Sequence, residues 1–526
     1  MYLTPSRDIE VHRRQIPEDH DGDVLNMSPL NQNAFEEMLD RLESRRKYPH
    51  SSASSECSDP VAQSPPRDQL LLSTTPFVTD FNGNFSPCMQ PKRALLRGEE
   101  GWPEIAMSEH AANTVNPIRR IVDVMSVQPN PDKELIKLHL GDPTLTGFLK
   151  VPHNVLDAMK NAVMSGKYNG YGPAVGLLEA RQAVAEAATC AEAVVTPDDV
   201  IMTSGCSHAL QLAIEAVANE GHNILVPRPG FPLYTTLMRP LGIEERYYDL
   251  LPAHNWEADL AQLETQIDGN TRAIVICNPS NPTGAVFSKE HLQEMLKIAD
   301  KYGLIVIADE VYNGMAFGGA TFHPIASLTP KVPVLTCDSI SKRYLVPGWR
   351  LGWLIIHDPV DALKQLRSGL RNLAQKIVGP CVITQGALPQ ILRDTPQEFY
   401  ANTLNVLETN ARVAFEELVQ VPGLRPVRPQ GAMYMMVQMD MDAFPDFKNQ
   451  DDMALIKALI SEESVYCLPG TAFHYHANAF RMVLTYPEHV TRQACQRIKD
   501  LCARYYNERP ARQTRYLTKK MTITGI

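Results

Sequence analysis

The chain has 526 residues, 44% of them hydrophobic and 21% charged, with a formal net charge of −10 at pH 7. That length exceeds what one compact core usually organises, so two or more domains are expected. The acidic balance argues against a nucleic-acid or membrane-surface binder, and no apolar run nears the ~18 residues of a membrane span.

Residues 1–104 are predicted to be largely disordered. The opening, MYLTPSRDIEVHRRQIPEDHDGD, has no apolar signal core and is too acidic for a transit peptide. In residues 51–67, Ser, Pro and acidic groups leave little to bury. Before them, Phe35, Met38, Leu39 and Leu42 fall at helical spacing behind Asn33 and Glu36, an N-cap and its N3 partner. This is a transient or self-docking helix, or one that takes a partner. The region carries no chemical motif, so it is expected to be dispensable for turnover. Either it sets cellular lifetime through proteolysis or phosphorylation, or it is an inert tail.

Residues 105–130 read as an N-terminal arm. From about residue 130, apolar runs of strand length alternate with helical patterns. IMT (201–203), NILVP (223–227), AIVIC (273–277), LIVIA (304–308) and VLTC (334–337) are such runs. Residues 289–302 place Leu292, Met295, Leu296 and Ala299 on one helical face. Near-continuous apolar strands separated by helices indicate a mostly parallel sheet covered on both faces, an α/β fold. After residue 355 the pattern turns helical, then to short strands around 432–437 and 481–485. The expected division is a large domain at 131–355 and a smaller α+β domain at 356–506 that includes part of the arm. A basic, solvated tail follows at 507–526. Ten cysteines without a C-x-x-C pair suit a reducing compartment, here the cytoplasm. No His/Cys/Asp set has metal-ligand spacing, so no metal is expected.

The polar punctuation falls at the strand ends, where open parallel sheets bind ligands. IMT leads into SGCSHA, NILVP into RPGFPLY, AIVIC into NPSNPTG, LIVIA into DEVY and VLTC into DSISKRYLVPGWR. Singly these are ordinary: SGCS an N-cap or an anion site, NPSNPTG a turn, Asp309 a cap or ion-pair partner, Lys342 a solvated lysine. Jointly, five clusters on one edge of one sheet can converge on one ligand.

NPSNPTG, DEVY and SISKRYLVPGWRLGW, in that order, resemble the fold-type I pyridoxal-phosphate (PLP) aminotransferases over residues 116–505. NPIR (116–119), GDPTL (141–145), GKYNGYGP (166–173), GLRPVRPQGAMY (423–434) and CLPG (467–470) are similar to the branch that acts on tyrosine. The resemblance implies a large PLP-binding domain and a smaller one. It also implies a homodimer with shared sites, and an amino acid and a 2-oxo acid as small-molecule partners.

It assigns roles as well. Lys342 would hold PLP through its amine and shuttle the substrate's proton. Asp309 would pair with the pyridine nitrogen, making the ring an electron sink. Tyr312 and Asn281 would bond the 3′-oxygen, and Phe231 would stack on the ring or simply belong to the core. Gly205, Cys206 and Ser207, opening a helix, would cradle the phosphate with Ser339, Ser341 and the forked guanidinium of Arg350. Tyr171 would reach the phosphate of the neighbouring subunit. Arg481 would clamp the carboxylate shared by donor and acceptor, and Gly141 would let backbone approach it. Asn116 and Arg119 would close over the substrate or only anchor the arm.

The implied reaction moves the amino group of tyrosine to 2-oxoglutarate in two half-reactions. The alternatives are an alanine, aspartate or kynurenine aminotransferase, or a PLP-binding regulator without turnover.

Overall fold

The structure is a computed structural model that describes residues 105–447 and 450–507. The expectations for residues 1–104 and for the basic tail lie outside the described residues.

In chain order the elements that frame the site begin with helix α1 (Pro117–Val124), followed by α2 (His153–Met164) and α3 (Leu178–Ala188). Strand β1 (Val200–Thr203) runs into helix α4 (Cys206–Val217). Then come β2 (Asn223–Arg228), β3 (Glu244–Leu251), β4 (Glu257–Ala258) and β5 (Thr271–Cys277). Helix α5 (Lys289–Tyr302) leads to β6 (Ile305–Asp309), β7 (Val334–Ser339) and β8 (Gly352–His357).

These eight strands form one sheet in the order β1-β8-β7-β6-β5-β2-β3-β4. The run β7-β6-β5-β2-β3 is parallel throughout, and β8 and β4 run antiparallel to their neighbours. The five apolar runs read from the sequence are all strands of it. Their residues are apolar on both faces because both faces are covered. Leu335, Cys337 and Ile307 pack with α4, while Val306, Ala308 and Val334 pack with Leu292, Met295 and Ala299 of α5.

Helix α5 starts at Ser288, whose side chain accepts from His291 N–H, and ends at Gly303 in the left-handed region. Three strands of this sheet were not foreseen, the two-residue β4 among them. In β3, EERYYDLL, burial alternates weakly along a polar sequence, so no apolar run marks it. In β8, GWLIIH is buried almost throughout but sits inside the motif that follows Lys342.

Beyond β8, helices α6 (Lys364–Ala374), α7 (Val382–Asp394) and α8 (Gln397–Leu418) follow. Helix α7 returns to the large sheet, its Ala387, Leu388 and Ile391 packing with Met202, Trp353 and Ile355. The second sheet has the antiparallel order β9 (Leu424–Pro426), β10 (Tyr434–Met439), β12 (Ala479–Val483), β11 (Leu468–Pro469). Its two longer strands lie two residues away from the ranges read from the sequence. Helix α9 (Glu488–Tyr505) closes the described chain.

Candidate active site

A cavity of about 270 Å³ opens at the carboxyl ends of β1, β2, β5, β6 and β7. Asn116, Arg119, Gly141, Cys206, Ser207, Phe231, Asn281, Asp309, Tyr312, Ser339, Ser341, Lys342, Arg350 and Arg481 all line it. Residues from both sheets and from the arm thus meet as the strand ends suggested. Tyr171 is not among them: its side chain is 95% exposed, beside Ile377 and Val378.

One end is built to receive an anion. Gly205, at φ +75°, caps α4, whose first N–H groups have no acceptor within the helix. A Cβ at Gly205 would stand 2.6 Å from Arg350 Nη2, so glycine is what lets the guanidinium close on the helix start. Arg350, itself at φ +51°, donates to the carbonyls of Pro347 and Ser204. Ser341 N–H donates to Ser339 Oγ at 3.2 Å, which fixes the two serines together.

At the other end Asp309 is 2% exposed. It accepts from the Tyr234 hydroxyl at 2.6 Å and the Cys206 thiol at 3.5 Å. Burial pushes its carboxyl upward; bonds from Tyr234, Val311 N–H and Cys206 pull it back. Between the two ends Lys342 Nζ donates to the Gly141 carbonyl. A Cβ at Gly141 would overlap the Tyr434 hydroxyl, which accounts for glycine there.

Arg481 is also 2% exposed. It donates to Asn281 Oδ1 at 2.9 Å and to the His139 carbonyl at 2.6 Å, between the rings of Tyr434 and Phe473. Among the described residues no carboxylate pairs with it and its Nε has no partner. A buried guanidinium so placed is incomplete without an anion.

Asn116 caps α1 through bonds from Ile118 and Arg119 N–H, and Arg119 stands exposed at the cavity mouth. Phe231 both lines the cavity and packs on the core, edge-on to Tyr234.

Three participants escaped the sequence reading. Tyr234 holds Asp309 from 75 positions away. Tyr434 shares a 2.8 Å hydrogen bond with Tyr312 across 122 positions. His139 stacks on Tyr466 at 3.8 Å and is lowered to about 4 by burial and by Arg481. Tyr234 and Tyr434 stood inside motifs already noted, but nothing in their spacing marked a role.

The arrangement suits PLP: an anion cradle, a lysine amine and a buried acid lie in one cavity. That fit rests on the Gly205 to Arg350 approach and on the buried Asp309.

Behind Asp309, Glu310 is 3% exposed, and burial raises its carboxyl from 4.5 to about 8. The folded state therefore keeps a proton that the unfolded chain releases. The stability this confers is complete below 4.5 and is lost as pH rises through about 8. Glu310→Gln should accordingly flatten the decline in Tm across that window, measured by thermal unfolding at stepped pH. Parallel declines in the two proteins would show that another group titrates.

The family profile for aminotransferase class I and II matches residues 133–498. A tyrosine aminotransferase of Caenorhabditis elegans is 51% identical over 411 residues, 78% of this chain and 87% of that protein. The human tyrosine aminotransferase is 49% identical over 413 residues, covering 78% and 90%. A crystal structure of tyrosine aminotransferase from Leishmania infantum superposes with a TM-score of 0.74 at 35% identity, covering 77% of this chain and all of that one. With a family profile spanning most of its length and its strand ends converging on the same cavity, the chain belongs to the PLP-dependent class I and II aminotransferases.

Proposed function

We propose that this chain transfers the amino group of L-tyrosine, and of other aromatic amino acids, to 2-oxoglutarate, giving 4-hydroxyphenylpyruvate and L-glutamate. This would be the first step of tyrosine breakdown. The observation that carries the reading is Arg481, a buried guanidinium that pairs with no carboxylate among the described residues and lines the same cavity as Lys342 and Asp309. Both amino donor and oxo acceptor bring a carboxylate to such a fork. The names of the relatives support tyrosine as the donor.

When bound, PLP supplies an aldehyde carbon that takes the amino group and a ring that withdraws the electrons released at Cα. Ser207, Ser339, Ser341, Arg350 and the α4 N-terminus would hold its phosphate. Asp309 would accept a hydrogen bond from the protonated ring nitrogen, and Asn281 and Tyr312 would donate to the 3′-oxygen. Arg481 orients the substrate by its carboxylate, so that Cα faces Lys342 Nζ. Lys342 would then take the Cα proton and deliver it to the carbon that receives the amino group, and run the same transfer in reverse for the oxo acid. Arg119, at the mouth, would close over the bound acid and exclude water.

The dimer belongs to the same reading. Tyr171, Ile377 and Val378 expose apolar surface together, which suits a partner-facing patch from which Tyr171 reaches the partner subunit's phosphate site. The described cysteines are all unpaired, in keeping with a cytoplasmic enzyme. No helix among the described residues is long and apolar enough to cross a membrane.

The test is a panel of tyrosine, phenylalanine, aspartate, alanine and kynurenine against 2-oxoglutarate. Tyrosine should give the highest kcat/KM; a preference for aspartate, alanine or kynurenine would move the chain to another branch. Absence of turnover with PLP bound would make it a non-catalytic regulator. In the same assay Arg481→Lys should raise KM for tyrosine and for 2-oxoglutarate together, each on the order of ten- to a hundredfold. An effect on one substrate alone would mean that Arg481 reads something other than the shared carboxylate.

A further inference from the structure

A second cavity, of about 250 Å³, lies behind the first and shares Ser339 with it. Side-chain alternation along β6 and β7 produces the pair. Asp309 turns to the first cavity, while Glu310, Thr336 and Asp338 line the second. Arg343, next to Lys342, completes the rear wall. Three polar groups of the second cavity are therefore chain neighbours of three groups of the first: Glu310 of Asp309, Asp338 of Ser339, Arg343 of Lys342.

The polar groups here are under-satisfied. Thr336 is only 6% exposed, and its hydroxyl has no hydrogen-bond partner among the described residues. Glu310 accepts one bond, from Ile325 N–H at 2.8 Å, while Asp338 accepts from Ser339 N–H at 2.6 Å and from the Asn313 side chain. Arg343 rests 4.5 Å from the Tyr400 ring centroid and attracts Asp338, but makes no ion pair at contact distance among the described residues. One ordered water needs only about 10–15 Å³ of such space, so this cavity is far larger than a water site. Trp353 and Tyr344 give it apolar walls.

We propose that this cavity binds a free amino acid, its carboxylate held by Arg343 and its ammonium by Glu310, Asp338 and Thr336. An inorganic anion would satisfy Arg343 but leave two buried acids facing it. A simple cation would meet Arg343. Only a ligand carrying both charges answers both ends. Burial keeps Glu310 and Asp338 raised, to about 8 and about 7, and an ammonium between them would draw both back toward ionisation. Because Glu310 N–H donates to the Cys337 carbonyl at 3.0 Å and Asp338 accepts from Ser339 N–H, the occupied site would bear on the backbone at Asp309 and at Ser339.

The test uses full-length holoenzyme reduced with borohydride, so that the cofactor no longer exchanges with an incoming amine. L-Leucine and L-glutamine are titrated by calorimetry, with acetate and methylammonium as half-ligands. The expected result is saturable binding of at least one amino acid, weakened about tenfold or more by Arg343→Gln and by Thr336→Val. Arg481→Lys should leave it unchanged, and the half-ligands should bind far more weakly. The proposal is overturned if neither amino acid saturates by ~10 mM. It is equally overturned if Arg343→Gln leaves affinity intact, if Arg481→Lys weakens it, or if a half-ligand binds as tightly.

Discussion

Lys342→Ala should fold, still take up PLP, and lose turnover by about 10⁴-fold or more. The fold survives because the amine's one hydrogen bond goes to the Gly141 carbonyl at the cavity wall and the side chain is not part of the core. Uptake should survive because the proposed phosphate cradle of Gly205, Ser207, Ser341 and Arg350 does not involve the lysine. Turnover should fall because, on the proposed roles, two separate contributions vanish with one group: a nucleophilic amine and a proton carrier beside Cα. Thermal unfolding, cofactor absorbance and initial rates check the three parts separately. In the wild type, borohydride should attach the cofactor to the peptide containing Lys342. Attachment to another lysine would end the assignment.

Asp309→Ala should lower turnover by orders of magnitude while retaining part of the cofactor. The lost charge-assisted bond to the ring nitrogen is typically worth about 1.5–3 kcal/mol. This variant also strips the Tyr234 hydroxyl of its acceptor in a buried site, which should cost about 1–3 kcal/mol of stability. Asp309→Asn separates the two effects, since the amide keeps an acceptor for Tyr234 but carries no charge. The expected outcome is a Tm near that of the wild type with a rate near that of the alanine variant. If Asp309→Asn retained half the wild-type rate, the carboxylate charge would have no part in the chemistry.

What could be read before folding depended on how local the signal was. The buried strands β5, β6 and β7 announce themselves because each is apolar on both faces over its own few residues. The site residues at their ends were legible for the same reason: Asp309 directly closes β6, and Ser339 closes β7. Strand β3 was missed because Glu244, Glu245 and Arg246 break its apolar pattern. Tyr234, Tyr434 and His139 were missed for a different reason. Each matters through a partner distant in sequence, Tyr234 through Asp309, Tyr434 through Tyr312 and His139 through Arg481. No periodicity along the chain encodes such a meeting. Gly141 and Gly205 lie between the two cases, since the motif marked them while the reason for glycine, Tyr434 in one case and Arg350 in the other, emerged only in three dimensions.

The position of β1 at the edge of the large sheet has a consequence for how the enzyme is made. Within the sheet β1 is hydrogen-bonded only to β8, and Gly352 of β8 lies against the backbone of Gly205 and Cys206. On a ribosome, the segment proposed to cup the phosphate emerges long before the strand that anchors it, and Arg481 emerges later still. A nascent chain stalled before residue 352 should then be unable to retain the vitamin-derived group, however much of the central sheet has already paired. Loading should thereby wait for β8, the last-made strand of the large sheet, to lock the loop that follows β1 in place.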